Sequence, residues 1–290
     1  MTVYPFIIHL GPLEVTGYGI MMMVGFLMGG WLVGRDLRRL GLREEYSADM
    51  VVAAVVGGIV GAKLWYVALT QDPGALFSRG GLVWYGGFIG GALAVILNGW
   101  RLRVPLRWTM QLGAAPMAAA YALGRIGCFL VNDDYGRPTD VPWAVKFPQG
   151  YPPSTAGNLR LLGIDVPPEV SNATVLAVHP TQIYETLIML VAFFFLWRWR
   201  TLPRPAGWLF GAYLVWAGAE RFFIEIFRAK DDRFFGQFTI AQLTSVVLVL
   251  IGIAIMVRLW RGPDVDPGPY LRGGKASPVT SSATAAQVKA

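Results

Sequence analysis

Apolar residues gather into seven long stretches, at 17–34, 48–69, 82–100, 108–130, 182–199, 207–227 and 239–260. A helix needs about 20 residues to cross the hydrocarbon core of a bilayer, and each stretch is close to that length. The pattern predicts an all-α polytopic protein of seven transmembrane helices. Polar runs separate them. The longest, 131–181, is rich in proline and glycine and long enough to form a small folded cap between a first group of four helices (1–130) and a second of three (182–261). From 262 to 290 the chain is dominated by Pro, Gly, Ser and Ala, which predicts a tail without stable structure. The chain shows no evident inverted internal repeat of the kind that marks secondary transporters.

Charge orients this arrangement. Of 25 lysines and arginines, 15 fall in or beside the connections after the first, third and fifth stretches and in the tail, against 7 on the other side. By the positive-inside rule the amino terminus faces outward, the carboxy terminus faces the cytoplasm and the cap is periplasmic. No Lys or Arg precedes Arg35, so the first stretch lacks the basic start of a cleavable signal peptide and is expected to stay as a helix. The net charge of +7 is then a topology signal with anionic headgroups as its partner, and nucleic acid need not be invoked. At 54% hydrophobic and 15% charged, the chain is far from the roughly 25% charged residues of a soluble domain. One cysteine excludes a disulfide scaffold.

The candidate chemistry lies in residues that a membrane disfavours. A charge at the bilayer centre costs about 2.5–3.5 kcal/mol on insertion scales, so each needs a partner. Lys63, Arg125, Glu185, Glu220, Arg221 and Glu225 fall in or near helix bodies. Arg221 and Glu225 are four residues apart on one helix face, either as an internal ion pair or as part of a binding site. Arg125 has no acidic residue three or four positions away, so it requires a partner from elsewhere or a ligand. Arg125 and Arg221 fall at similar depth toward the outer side, and two planar guanidiniums suit the grip of a lipid phosphate. Lys63 reads as snorkelling or paired with Glu185. Gly86, Gly87, Gly90 and Gly91, with Gly57, Gly58 and Gly61, predict close approach of the second and third helices, either for packing alone or to shape a groove open to lipid.

Five short motifs occur in order: GYG at 17–19, YGGFIGG at 85–91, GRIGCFLVNDDYGR at 124–137, HPTQIYE at 179–185 and ERFFIEIFR at 220–228. In these the chain resembles the prolipoprotein diacylglyceryl transferases, integral membrane enzymes of the bacterial inner membrane. The resemblance implies transfer of the diacylglyceryl group of phosphatidylglycerol to the lipobox cysteine thiol of a prolipoprotein, forming a thioether and releasing glycerol phosphate, with no metal or other cofactor. It implies catalytic roles for Arg125, Arg221, Glu225 and Tyr85, and substrate binding by Tyr18, Arg125, Asp133, Gly136, Arg221 and Arg228. Tyr85 stands where the family typically has a histidine proposed as the base, and a phenol titrating near 10 is a poor base at neutral pH. Cys128 and Val131 replace two asparagines of the family signature, and Asp133 falls where a glutamate is usual. Cys128 reads as a small buried hydrophobe, and His179 as a loop or cap contact. These departures leave open a homologue that binds lipid or precursor without turnover, or one with an altered donor or acceptor. A transporter or channel, for which intramembrane charges are equally expected, is a further rival.

Overall fold

The computed structural model describes residues 1–273 except 12, 78–81, 231, 232, 236 and 237. It is mostly helical. The long helices are α1 (Gly17–Arg39), α2 (Tyr46–Thr70), α3 (Trp84–Arg101), α4 (Leu106–Val131), α6 (Thr181–Trp199), α7 (Trp208–Ile224) and α8 (Ile240–Arg258), with short α5 (Ala156–Leu161) and α9 (Gly268–Leu271). Each apolar stretch read from the sequence coincides with a long helix. Five of them (α1, α2, α4, α6 and α8) are long and apolar enough to cross a membrane, as a polytopic membrane protein requires. With 18 and 17 residues, α3 and α7 are the shorter two. Lipid-type surface is evident on α2, where Val52, Val56, Ile59 and Leu64 are each more than half exposed.

The chain divides into two compact units. The first comprises Met1–Met28, Met117–Leu202 and Leu209–Arg258. Its helices meet through small residues. A side chain at Gly218 would come within 2.7 Å of the Ser245 carbonyl, and one at Gly252 within 2.6 Å of the Gly211 carbonyl, so α7 and α8 touch backbone to backbone. The Ala-rich face of α4, with Ala118 and Ala122 fully buried, does the same for its neighbours. Between α4 and α6 the expected cap has its own core. Phe147, Leu159 and Val178 are fully buried there, packed with Tyr135, Ala156 and Val166. Strands β3 (Val145–Lys146) and β4 (Ala177–Val178) pair antiparallel, and the amino terminus adds to them through Val3 N–H, which donates to the Lys146 carbonyl. Arg160 ties the rest together by donating to the carbonyls of Pro167 and Val170. Ahead of α1, strands β1 (Ile7–Leu10) and β2 (Leu13–Thr16) form a hairpin that the hydrophobic pattern had not indicated.

The second unit comprises Gly29–Pro116, Pro203–Trp208 and residues from 259 onward. Here the glycine-rich faces of α2 and α3 meet as expected. A Cβ on Gly61 would lie 2.3 Å from the Gly86 carbonyl, and one on Gly90 2.4 Å from the Gly57 carbonyl, so only glycine permits this spacing. The expectation of a structureless tail from 262 needs correction for its first part. Trp108 donates its indole N–H to the Val265 carbonyl at 2.6 Å, Tyr270 donates to Asp49, and Leu271 is fully buried with Leu37, Tyr46, Val104 and Leu112. Composition concealed this because one leucine and one tyrosine carry the docking. Residues 274–290 of that expected tail lie outside the described residues. Leu271→Ala is expected to lower stability by about 2–5 kcal/mol, read as an earlier thermal unfolding transition of the detergent-solubilised protein.

Candidate active site

The site is assembled where α4 ends. Val131 is the last helical residue, and Asn132 takes the left-handed conformation (φ 61°) that commonly terminates a helix. Asn132 is fully buried and donates its amide to the Val3 carbonyl at 3.1 Å. Asp134 is also left-handed (φ 56°), an uncommon backbone state for a residue with a side chain. These two reversals turn the chain back on α4, bringing the Asp134 carboxylate to a guanidinium nine residues earlier. Arg125 donates from Nη1 to Asp134 Oδ2 at 2.8 Å.

Arg125 thus finds the partner that its own helix lacks, and it has a second. Its Nε lies 2.9 Å from Glu185 Oε2, on a side chain with no solvent exposure. Tyr121, one turn earlier on α4, donates to the other oxygen of Glu185 at 3.3 Å. Glu185, weighed from the sequence as a partner for Lys63, instead serves Arg125. The network continues through Asp134, whose Oδ1 accepts from Arg228 Nη2 at 2.7 Å. Arg228 Nε stands 4.0 Å from Glu225 Oε2, and the same oxygen is 2.6 Å from Arg221 Nη1. Three arginines and three carboxylates therefore form one chain of ion pairs joining α4, the following loop, α6 and the end of α7. Of the two arginines singled out from the sequence, Arg221 ends this chain and Arg125 stands one link in from Glu185 at the other end, with Arg228 between them. The Arg221–Glu225 pair meets as close charges without an aligned hydrogen bond. Buried Glu220 leaves its Oε1 without a hydrogen-bond partner among the described residues.

Exposure varies along the network. The side chains of Glu185 and Glu225 are 0% and 2% exposed and those of Arg125 and Arg228 14% and 16%, whereas Arg221 reaches 30% and Asp134 39%. Burial works against charge on Asp134, yet Arg228 and Arg125 together hold its carboxyl down to about 2. For the neighbouring Asp133, burial and then the charge of Asp134 push the carboxyl up to about 6. Cys128, Asp133 and Asp134 bring their donor atoms within 4.8 Å of one another. Two guanidiniums already on Asp134 oppose a cation there.

Backbone bonds hold this loop in place. Gly136 N–H donates to the His179 carbonyl at 2.8 Å, and Arg137 N–H to the Phe227 carbonyl at 2.8 Å, so the loop is clamped between the approach to α6 and the exit from α7. A Cβ at Gly136 would fall 2.5 Å from the Phe227 carbonyl and 2.8 Å from both His179 Cβ and Thr181 Cγ2, which excludes any other residue. Thr181 donates to the Asp134 carbonyl at 2.8 Å and Gln182 to the Asp133 carbonyl. Sequence reasoning had quoted HPTQIYE without giving Thr181 or Gln182 a task, and had passed over Asp134 and Tyr121. The signal available was that polar residues so near a helix start, both fully buried, need partners.

The remaining candidates fall as follows. Tyr18 packs over α4 where Gly127 has no side chain, its ring carbon 3.3 Å from the position of a Cβ there. Cys128 is 8% exposed, with Arg125 Nη1 3.7 Å from its sulfur. His179 contacts Tyr184 through Nδ1 at 3.1 Å and packs edge-on against Phe227, a loop contact as expected, and burial lowers its pKa. Tyr85, the second residue of α3 in the second unit, is 66% exposed.

The opposite shifts of the two aspartates give opposite pH slopes. Between about pH 4 and about 6 the folded chain keeps a proton on Asp133 that the unfolded chain has released, so stability falls as pH rises. Between about 2 and about 4 it is the unfolded chain that holds the proton of Asp134, so stability rises with pH. Unfolding midpoints across this range should show the upper slope flattened in Asp133→Asn and the lower slope flattened in Asp134→Asn.

Residues 5–258 match the prolipoprotein diacylglyceryl transferase family. The chain is 34% identical over 273 residues to the phosphatidylglycerol–prolipoprotein diacylglyceryl transferase of Pseudoalteromonas atlantica, covering 87% of this chain and 88% of the relative. It is 33% identical over 271 residues to the protein of the same name from Vibrio cholerae serotype O1 (87% and 90% covered), and 30% identical over 274 residues to that of Mannheimia succiniciproducens (89% and 93% covered). The match takes in every element of the ion-pair network, and this multi-pass membrane protein belongs to the prolipoprotein diacylglyceryl transferase family.

Proposed function

We propose that this protein transfers the diacylglyceryl group of phosphatidylglycerol to the thiol of a prolipoprotein cysteine. One observation carries the assignment of the site: three arginines of the family motifs converge in a single ion-pair network. In the reaction the cysteine sulfur, as thiolate, attacks the terminal glyceryl carbon. The bond between that carbon and the phosphate ester oxygen breaks, its electron pair stays on that oxygen, and glycerol phosphate leaves. Negative charge grows on the phosphate as the bond breaks, and fixed guanidiniums aimed at it stabilise the transition state more than the ground state.

Arg125 and Arg221 hold the phosphate, and Arg228 adds a third positive group between them. Glu225 orients Arg221 through their short ion pair. Tyr18, Asp133 and Gly136 shape the lipid site, Gly136 by admitting the backbone contacts that fix the loop. Tyr85, in the position of the family's helix-three histidine, relays the thiol proton, its hydroxyl oxygen taking that proton as its own passes to the departing phosphate oxygen. The setting is the bacterial inner membrane, with seven spans, an outward amino terminus, a periplasmic cap and a cytoplasmic carboxy terminus. The acceptor is a signal peptide whose lipobox cysteine enters from the membrane.

Expression in a host depleted of its own transferase, followed by mass measurement of a lipobox peptide, tests the activity. The diacylglyceryl increment is expected with the wild-type chain, and its absence would refute the assignment. Arg125→Ala and Arg221→Ala should each lower turnover by about 10²-fold or more, and full activity in either removes that residue from the site. Tyr85→Phe should abolish turnover while Tyr85→His raises it; equal rates in all three chains would place proton handling elsewhere.

A further inference from the structure

We infer that the Asp134 carboxylate is an internal mimic of the lipid phosphate, occupying the guanidinium faces of Arg125 and Arg228 until phosphatidylglycerol displaces it. The inference rests on the proposed reaction and adds a positioning residue to it. Asp134 spans two arginines with its two oxygens, at 2.8 Å and 2.7 Å, as the two free oxygens of a phosphodiester would. Each arginine also faces a deeper carboxylate, Glu185 beside Arg125 and Glu225 beside Arg228, both within 2% of complete burial. Those two serve as fixed counter-charges. Asp134, at 39% exposure, is the carboxylate of the network with room to leave.

Charge balance points the same way. Three guanidiniums against Asp134, Glu185 and Glu225 sum to zero, and Glu220 and Asp133 beside them add no positive charge, so a phosphodiester monoanion entering among them would leave an excess negative charge in a low-dielectric setting. Exchange of one anion for another at the same two arginines avoids that excess. Asp134 also has an unfavourable backbone conformation, fixed by the hydrogen bond from Thr181 to its carbonyl, so the side chain can swing while the loop stays. After transfer, the tethered carboxylate competes with glycerol phosphate at high effective concentration and drives its release. Asp134 thereby weakens substrate binding and prevents product trapping, since apparent affinity falls with the fraction of sites that are open.

Asp134→Asn removes the charge while retaining a residue that tolerates the left-handed backbone, and Asp134→Gly serves as a second variant with no side chain to compete. In the detergent-solubilised full chain, KM for phosphatidylglycerol should fall about tenfold in both variants if about one site in ten is open in the wild type. Inhibition by added glycerol phosphate should tighten in parallel, and kcat should not rise. A merely structural role for Asp134 would lower kcat or stability and leave KM and product inhibition where they are, or raise both constants; either result overturns the inference with the transfer reaction intact. Should the wild type show no transfer, the proposed reaction fails by itself. Thermal stabilisation by phosphatidylglycerol then decides: half-maximal effect at lower lipid concentration in the variants supports displacement, and an equal or higher concentration refutes it.

Discussion

A guanidinium cannot shed its charge, and Arg125 puts one in an apolar helix. Everything around the site answers that constraint. Glu185 must come from α6 and Asp134 from the reversed loop, because α4 itself offers no acid at helical spacing. Asp134 in turn draws Arg228, and Glu225 links Arg228 to Arg221. Removing Glu185 or Glu225 would strand a buried charge, a loss that exceeds the modest net worth of an intact pair. The network therefore specifies which helix ends belong together more than it adds to stability.

Small residues perform the complementary task. Association of helices within lipid gains little from burial of apolar surface, so close contact and backbone approach must supply it. The glycines of α7 and α8 in one unit, and of α2 and α3 in the other, let carbonyl groups approach positions that any Cβ would block. Charges choose the partners around the site, and absent side chains let helices approach.

The long helices were legible in the sequence because a membrane demands an unbroken apolar run, a demand that composition cannot disguise. The second segment, read as 48–69, forms Tyr46–Thr70, and the sixth, read as 207–227, forms Trp208–Ile224, shortened where Glu225 and Arg228 turn to the network. The approach of Gly61 to Gly86 was equally visible, as was the need of Arg125 for an outside partner. The identity of that partner was not. It depends on two left-handed residues flanking Asp133, a geometry with no periodic signature. Docking of Leu271 was hidden for a different reason: one buried side chain in a polar segment leaves its average composition unchanged.

The clamp around Gly136 has a consequence for how such a site can change over time. Main-chain amide and carbonyl groups at 136, 137, 179 and 227 do the holding, and these are common to all residues but proline, which lacks the amide hydrogen. Substitution at 179 or 227 can therefore accumulate without moving the loop; at 137 the side chain also donates to the Arg228 carbonyl, and Gly136, whose side chain contributes only an absence, has no permitted replacement. A residue with nothing to offer chemically becomes the least negotiable member of the group.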